Sequence, residues 1–288
     1  MADAHLVAVK AALATGEELR HLFNRIGMAE HPRGRILVAY RNARRVLSEV
    51  VRTGSARLER EAMEALAALR AEVDAATAVL LDDAVAVGRK SAGAQADARS
   101  LRVASRVPDV APMRQAVLAG VDAQVASARA ALAVGDTAML LGDEEAWGIV
   151  SPAPVAKETA KWLAVAVMEG WLEFINPARL PAGDWYKQAI AAIDERTTEC
   201  CLRVHGQAVP LEEMFVTLYE PAWADRQAWP PFHWWCRASP ALVSAAEVGD
   251  ELTAQMQEAG HAELEAREQT GARREIHPAH ARSKRLIW

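Results

Sequence analysis

The chain of 288 residues has only three cysteines, Cys200, Cys201 and Cys236. So odd and low a count excludes a secreted disulfide scaffold and makes a reducing compartment the default place of synthesis. No run of about 18 uncharged apolar residues occurs, which argues against a membrane span. The start, Met1-Ala2-Asp3-Ala4-His5, has neither the basic residues nor the apolar stretch of a signal peptide. An excess of positive charge is missing too. Lys and Arg number 33 against 38 Asp and Glu, for a net charge of −5, so nucleic acid could be met only through a local basic patch. Aromatics are scarce before residue 147, where only Phe23 and Tyr40 occur, and no proline lies between Pro32 and Pro108.

What is present points to helices. Apolar residues make up 51% of the chain, enough to exclude wholesale disorder at this modest charge. More than one residue in five is alanine, the strongest helix former. Leu66, Leu69, Val73, Ala76, Leu80, Ala84 and Val87 recur at steps of three and four, the signature of one helix face. A single helix over 56–89 would be about 50 Å long. A second alanine-rich helix is expected over 113–134. A third, over 161–174, would be buried through Trp162, Val165, Val167 and Trp171 and ended by Pro177 and Pro181. A short helix is expected over 184–193 and a polar, charged one over 245–267.

The predicted fold is mainly α: an elongated N-terminal helical region, a small irregular α+β Cys/His module, and a C-terminal helix and tail. Its boundaries are an alanine-rich region over 1–146, a bundle or coiled-coil arm; a helical connector over 147–193; the Cys/His module over 194–243; and the C-terminal helix and basic tail over 244–288. All nine tryptophans and all three cysteines lie beyond residue 146. Alanine faces let helices approach closely, within one chain or between chains.

The chemistry-bearing stretch runs from Asp194 to Val243. It holds Cys201-x3-His205 and, further on, His233-x2-Cys236. Thiolate and imidazole are zinc's preferred donors, and two short pairs far apart in sequence can close a tetrahedral site. The candidate ligands of one structural zinc are therefore Cys201, His205, His233 and Cys236, with Cys200 beside Cys201 as an alternative donor. Competing readings are a Cys201–Cys236 disulfide and simple buried thiols. His205 could instead be a hydrogen-bonded residue at the turn before Gly206. Asp194 and Arg196 are expected to pin their own loop.

Asp194-x-Arg196-Thr197-Thr198-x-x-Cys201, then Gly206, then Pro230-Pro231-x-His233-x-x-Cys236-Arg237, resembles the C-terminal module of the phage Mu F-like minor head proteins, the phage head morphogenesis family. The resemblance covers about 50 residues. The matching positions are Asp194, Arg196, Thr197, Cys201, Gly206, Pro231, His233, Cys236 and Arg237. Relatives carry cysteine where Thr198 and Ala238 stand here, so a four-cysteine site does not form. Some relatives continue into a toxin or transferase domain. The roughly 45 residues after Val243 are too few for one.

The resemblance implies a structural minor head protein of a tailed bacteriophage, not an enzyme. Such a protein is made in the host cytoplasm and sits in the virion near the portal vertex. Its implied partners are the portal and the major capsid protein, and DNA packaging or delivery is among its implied roles. Self-association through the helices and non-specific DNA contact are further expectations. The basic candidates for the latter are Arg33, Arg35, Arg41, Arg44 and Arg45, with Arg273, Arg274, Arg282, Lys284 and Arg285 of the tail. The alternatives are a zinc-dependent hydrolase or nuclease using His205 or His233, and a zinc-stabilised DNA-binding protein. Neither a paired-carboxylate motif nor a basic recognition helix accompanies them.

Overall fold

The computed structural model describes residues 3–27, 34–53, 56–101, 106–142, 147–175, 180, 184–216 and 226–271. Among these described residues there are eight helices: α1 (Ala4–Ile26), α2 (Arg35–Thr53), α3 (Ala56–Ala98), α4 (Ala111–Ala133), α5 (Thr137–Leu141), α6 (Pro152–Ile175), α7 (Glu199–Val204) and α8 (Glu251–Thr270). Five strands accompany them: β1 (Trp185–Ile190), β2 (Ala208–Pro210), β3 (Phe215–Val216), β4 (Arg226–Gln227) and β5 (Ser239–Ser244). The fold is mainly α with a small α+β module, as the composition predicts.

The chain forms two compact units. One comprises Met1–Arg20, Ala84–Pro108 and Ala164–Trp288; the other comprises His21–Asp83 and Asp109–Leu163. Helices α1, α3 and α6 have residues in both. The units therefore do not run with the aromatic-poor and aromatic-rich halves of the sequence.

Among the described residues the second unit has helices and no strand. One face of α2 is buried through Ile36, Leu37, Tyr40, Ala43, Leu47 and Val50, at the three- and four-residue steps of an amphipathic helix. Tyr40 is fully buried, which raises its hydroxyl pKa, and it donates to Gln124 Oε1 (2.5 Å). Ion pairs Arg70–Asp122 and Arg114–Asp74 join α3 to α4. Among the described residues, α4 is the one helix long and apolar enough to cross a membrane by length and composition. Here it packs in the unit through Met113, Val117, Val121 and Val125.

The first unit carries the sheet, in the order β2-β1-β5 and antiparallel throughout. Strand β1 occupies part of the 184–193 stretch, where a short helix was expected. Between two partners both of its faces are covered, and Lys187 and Gln188 are buried polar residues that conceal the strand's alternation. Gln188 faces α1 and α8: its Oε1 lies 2.9 Å from His5 Nε2, and its amide donates to Thr253 and to the Gly206 carbonyl. The same layer holds Ala8, Val9, Ala12, Ile190, Ala241 and Met256. Lys187 donates to the Leu211 carbonyl (2.7 Å), its ammonium 4.2 Å from the Trp229 ring centre. Nearby, Ala92, Met168, Trp171, Ile175 and Leu242 form an apolar cluster.

Helices α3 and α6 meet in this unit at glycines. A Cβ on Gly88 would lie 1.9 Å from the Val167 carbonyl oxygen, and one on Gly170 would lie 2.4 Å from that of Val85. Only the missing side chains allow the backbones so close. Helix α3 also runs past the expected 89 to Ala98, because glycines at 88 and 93 weaken a helix without breaking it. Helix α8 begins at Glu251, later than the expected 245. Asp250 caps it, accepting from the Thr253 N–H (2.8 Å).

Candidate metal centre

The site is assembled from two segments of the first unit. The first begins with a turn at Asp194. Its Oδ1 accepts from the Arg196 backbone N–H (2.9 Å) and the Thr197 hydroxyl (3.1 Å), so Asp194 and Arg196 pin the loop. The chain then enters α7, which carries Cys200 and Cys201. The second segment runs from Trp229 to Ala238 and carries His233 and Cys236. Arg237 joins the two by donating from Nη2 to Asp194 Oδ1 (2.5 Å). From α8, buried Arg267 donates to the carbonyls of Thr197 (2.5 Å) and Asp194 (2.8 Å), closing the bracket. Gly16 of α1 leaves room for the Arg237 carbonyl, which would lie 2.8 Å from a Cβ there.

Within this bracket the donors converge. Cys201 Sγ is 3.0 Å from His233 Nε2 and 3.7 Å from Cys236 Sγ. Thr198 Oγ1 lies 2.8 Å from His233 Nε2 and 3.1 Å from Cys200 Sγ. The donor atoms of Cys200, Cys201 and His233 all fall within 4.8 Å of one another, a group able to hold a metal ion. His233 Nδ1 donates to the Trp234 carbonyl, which fixes the tautomer and leaves Nε2 for the cluster. All three thiols are free and buried, set among Ala189, Ala191, Val204, Phe215 and Phe232. Phe232 meets Phe215 edge-on, with ring centres 5.7 Å apart.

The charges are coupled. The hydrogen bond from Cys201 is the main influence bringing Cys200 down to about 6, with the His233 charge adding to it. Cys201 is pushed well up, first by donating to Cys200 and Cys236 and then by burial. Burial opposes ionisation of Cys236, yet the Cys201 hydrogen bond and the His233 charge lower its pKa. Burial likewise works against His233, but the neighbouring thiolates carry it to about 9.

Of the four predicted ligands the structure brings together Cys201, His233 and Cys236. His205 stands apart. It follows the last turn of α7 as its C-terminal cap, and its Nδ1 accepts the Ala191 backbone N–H (3.0 Å). Burial lowers it to about 4, so the ring is neutral. Cys200 takes the place in the cluster that spacing alone gave to His205. Gly206 is a structural requirement: its φ is +78°, and a Cβ would lie 2.9 Å from the Gln257 nitrogen of α8. Pro231 is buried in the second segment.

Thr198 entered the sequence reading only as a motif position where relatives carry cysteine, and Arg267 had no individual signal there. The first follows from the α7 cap position and the second from a contact 70 residues away. Among the basic candidates, Arg41 and Arg45 are exposed on α2, while Arg44 lies over the Trp147 ring, 4.7 Å from its centre. Arg33 and the tail residues Arg273, Arg274, Arg282, Lys284 and Arg285 lie outside the described residues. No known protein family, curated protein or solved structure matches the chain.

Proposed function

We propose that this chain is a structural minor head protein of a tailed bacteriophage, and that its module is held by one zinc ion bound by Cys200, Cys201, His233 and Cys236. The observation that carries the reading is the Asp194–Arg237 pair. It ties the two halves of the Mu F-like motif together around the Cys/His donors. The donor chemistry supports zinc, since buried thiolates and an imidazole with its second nitrogen on a carbonyl are the usual structural set. Two sulfurs at about 2.3 Å from a tetrahedral ion stand roughly 3.8 Å apart, and Cys201 and Cys236 are separated by 3.7 Å. The metal would fix two irregular segments that have little regular structure of their own. Exposed faces of the helical unit would supply surface for the portal or capsid partner.

Two measurements test this. Elemental analysis of the purified protein should give one zinc per chain, reduced in Cys201→Ala and Cys236→Ala but retained in His205→Asn. Loss in His205→Asn with retention in Cys200→Ser would refute the ligand set. Mass-spectrometric quantitation in density-purified particles should find a few to a few dozen copies, retained after the DNA is released. Absence from particles would overturn the minor head reading.

A further inference from the structure

We propose that His5 is a proton-operated latch: its imidazole is held as the doubly protonated cation between Asp250 and Gln188, and loss of that proton frees α1 from β1 and α8. The ring is fully buried. Its Nδ1 lies 2.7 Å from Asp250 Oδ2, and its Nε2 lies 2.9 Å from Gln188 Oε1. Both partners are acceptors, and a neutral imidazole, with one N–H, could satisfy only one of them.

The hydrogen-bond network decides which end of the Gln188 amide faces the ring. The other end meets the Gly206 carbonyl at 3.1 Å and the Thr253 hydroxyl at 3.0 Å. A carbonyl only accepts, and the Thr253 hydroxyl already gives its proton to the Glu247 carbonyl (3.1 Å). That end is therefore the NH2, and the end facing His5 is the oxygen. Turning the amide over would set its oxygen against the Gly206 carbonyl. At the other ring nitrogen Asp250 is ionised. Burial works against its charge, but the Thr253 N–H and the His5 ring hold the carboxyl below its ordinary value. Its Oδ1 takes the Thr253 N–H, which leaves Oδ2 for the ring.

The surrounding charges favour a cation. At the start of α1, Asp3 accepts the His5 backbone N–H (2.9 Å). In the turn before α8, Glu247 is paired with Arg99, just past α3 (2.7 Å). Strand β1 contributes the neutral Gln188, α8 the neutral Thr253 and Gln257, and His205 beside Gly206 is neutral. Docked α1 thus carries a proton that a free histidine gives up near pH 6.5. Docking is strongest below that pH and weakens as pH rises, by up to about tenfold per unit for one proton. Undocking uncovers the face of Ala8, Val9 and Ala12 and withdraws Gly16 from the Arg237 carbonyl beside the Cys/His cluster. None of the metal donors takes part, so the inference stands apart from the zinc reading.

Two measurements on the full chain test it, with zinc content followed in every sample. Ring ¹⁵N–¹H NMR at pH 7, where a free imidazole is mostly neutral, should find protons on both His5 nitrogens. One unprotonated nitrogen in the folded protein at that pH would overturn the proposal. Amide exchange over α1, corrected for its intrinsic rate, should accelerate by up to about tenfold per pH unit above about 6.5, and that over α6 should change less. Asp250→Asn keeps a good cap for α8 and should bring the loosening on about one pH unit earlier. His5→Asn should abolish the pH dependence. Protection of α1 that is flat with pH in the wild type would overturn the latch, as would a pH dependence that both variants leave unchanged. Should His5→Asn fail to fold, the ring NMR and Asp250→Asn decide.

Discussion

His205 shows how two histidines in one module come to do opposite things. His233 sits among thiols and is pushed up to about 9, whereas His205 is buried without a countercharge and falls to about 4. A histidine kept neutral in the folded state binds fewer protons there than in the unfolded chain, whose value is near 6.5. Stability from this group is therefore complete above about pH 6.5 and is lost as pH falls toward 4, by about 3 kcal/mol at most. Urea denaturation of the wild type and His205→Asn between pH 4 and 7 measures it. The variant should be the less stable at pH 7, and the difference should shrink with acidity. A constant difference would mean that the ring takes up its proton equally readily in the folded and unfolded chain.

At the scale of elements, the α3–α6 crossing gives the sharpest prediction. Gly88→Ala should cost about 3 kcal/mol or more, since the new methyl meets a backbone carbonyl that cannot yield without moving a helix. Gly93→Ala, five residues along the same helix, meets only the Phe174 ring at 3.6 Å. It should be neutral or gain up to about 1 kcal/mol from helix propensity. Thermal melts of the pair separate packing from propensity. These helices were legible in the sequence because periodic apolar residues and the absence of proline survive any tertiary context. Strand β1 was not, because burial on both faces and its polar Lys187 and Gln188 remove the alternation on which a strand is recognised. In the site, donor spacing singled out Cys201 and His233, which fall in the metal-capable group, and Cys236, whose sulfur lies 3.7 Å from that of Cys201. It could not separate Cys200 from His205, because that choice depends on where α7 ends: Cys200 rides on the helix into the cluster, while His205 is carried past its last turn.

For the molecule as a whole, the unit holding the site is built from three separate stretches of chain. No local signal announces that α1 packs beside α8, so a boundary drawn from composition could not reveal it. The motif segment is accordingly not a folding unit. It needs Ala8, Val9 and Ala12 of α1 on one face of the sheet, and Ala92 and Trp171 on the other. The Gln95 side chain of α3 also bonds the Pro240 carbonyl and the Leu242 N–H of β5. An excised 184–271 fragment, even with zinc supplied, should show no cooperative unfolding transition and weak near-UV circular dichroism. A native-like melt of that fragment would contradict this arrangement.

The bonds of His5 to Asp250 and Gln188 also set a schedule for synthesis. The imidazole and the Asp250 carboxylate are 245 residues apart, so α1 leaves the ribosome long before the residue that caps α8. At roughly 5–20 residues per second that interval is on the order of ten to fifty seconds. Throughout it the apolar face of α1, with Ala8, Val9 and Ala12, has no sheet to cover it. Until β1, β5 and α8 have been made, that face stays open to whatever apolar surface it meets, so α1 settles into its place late in synthesis.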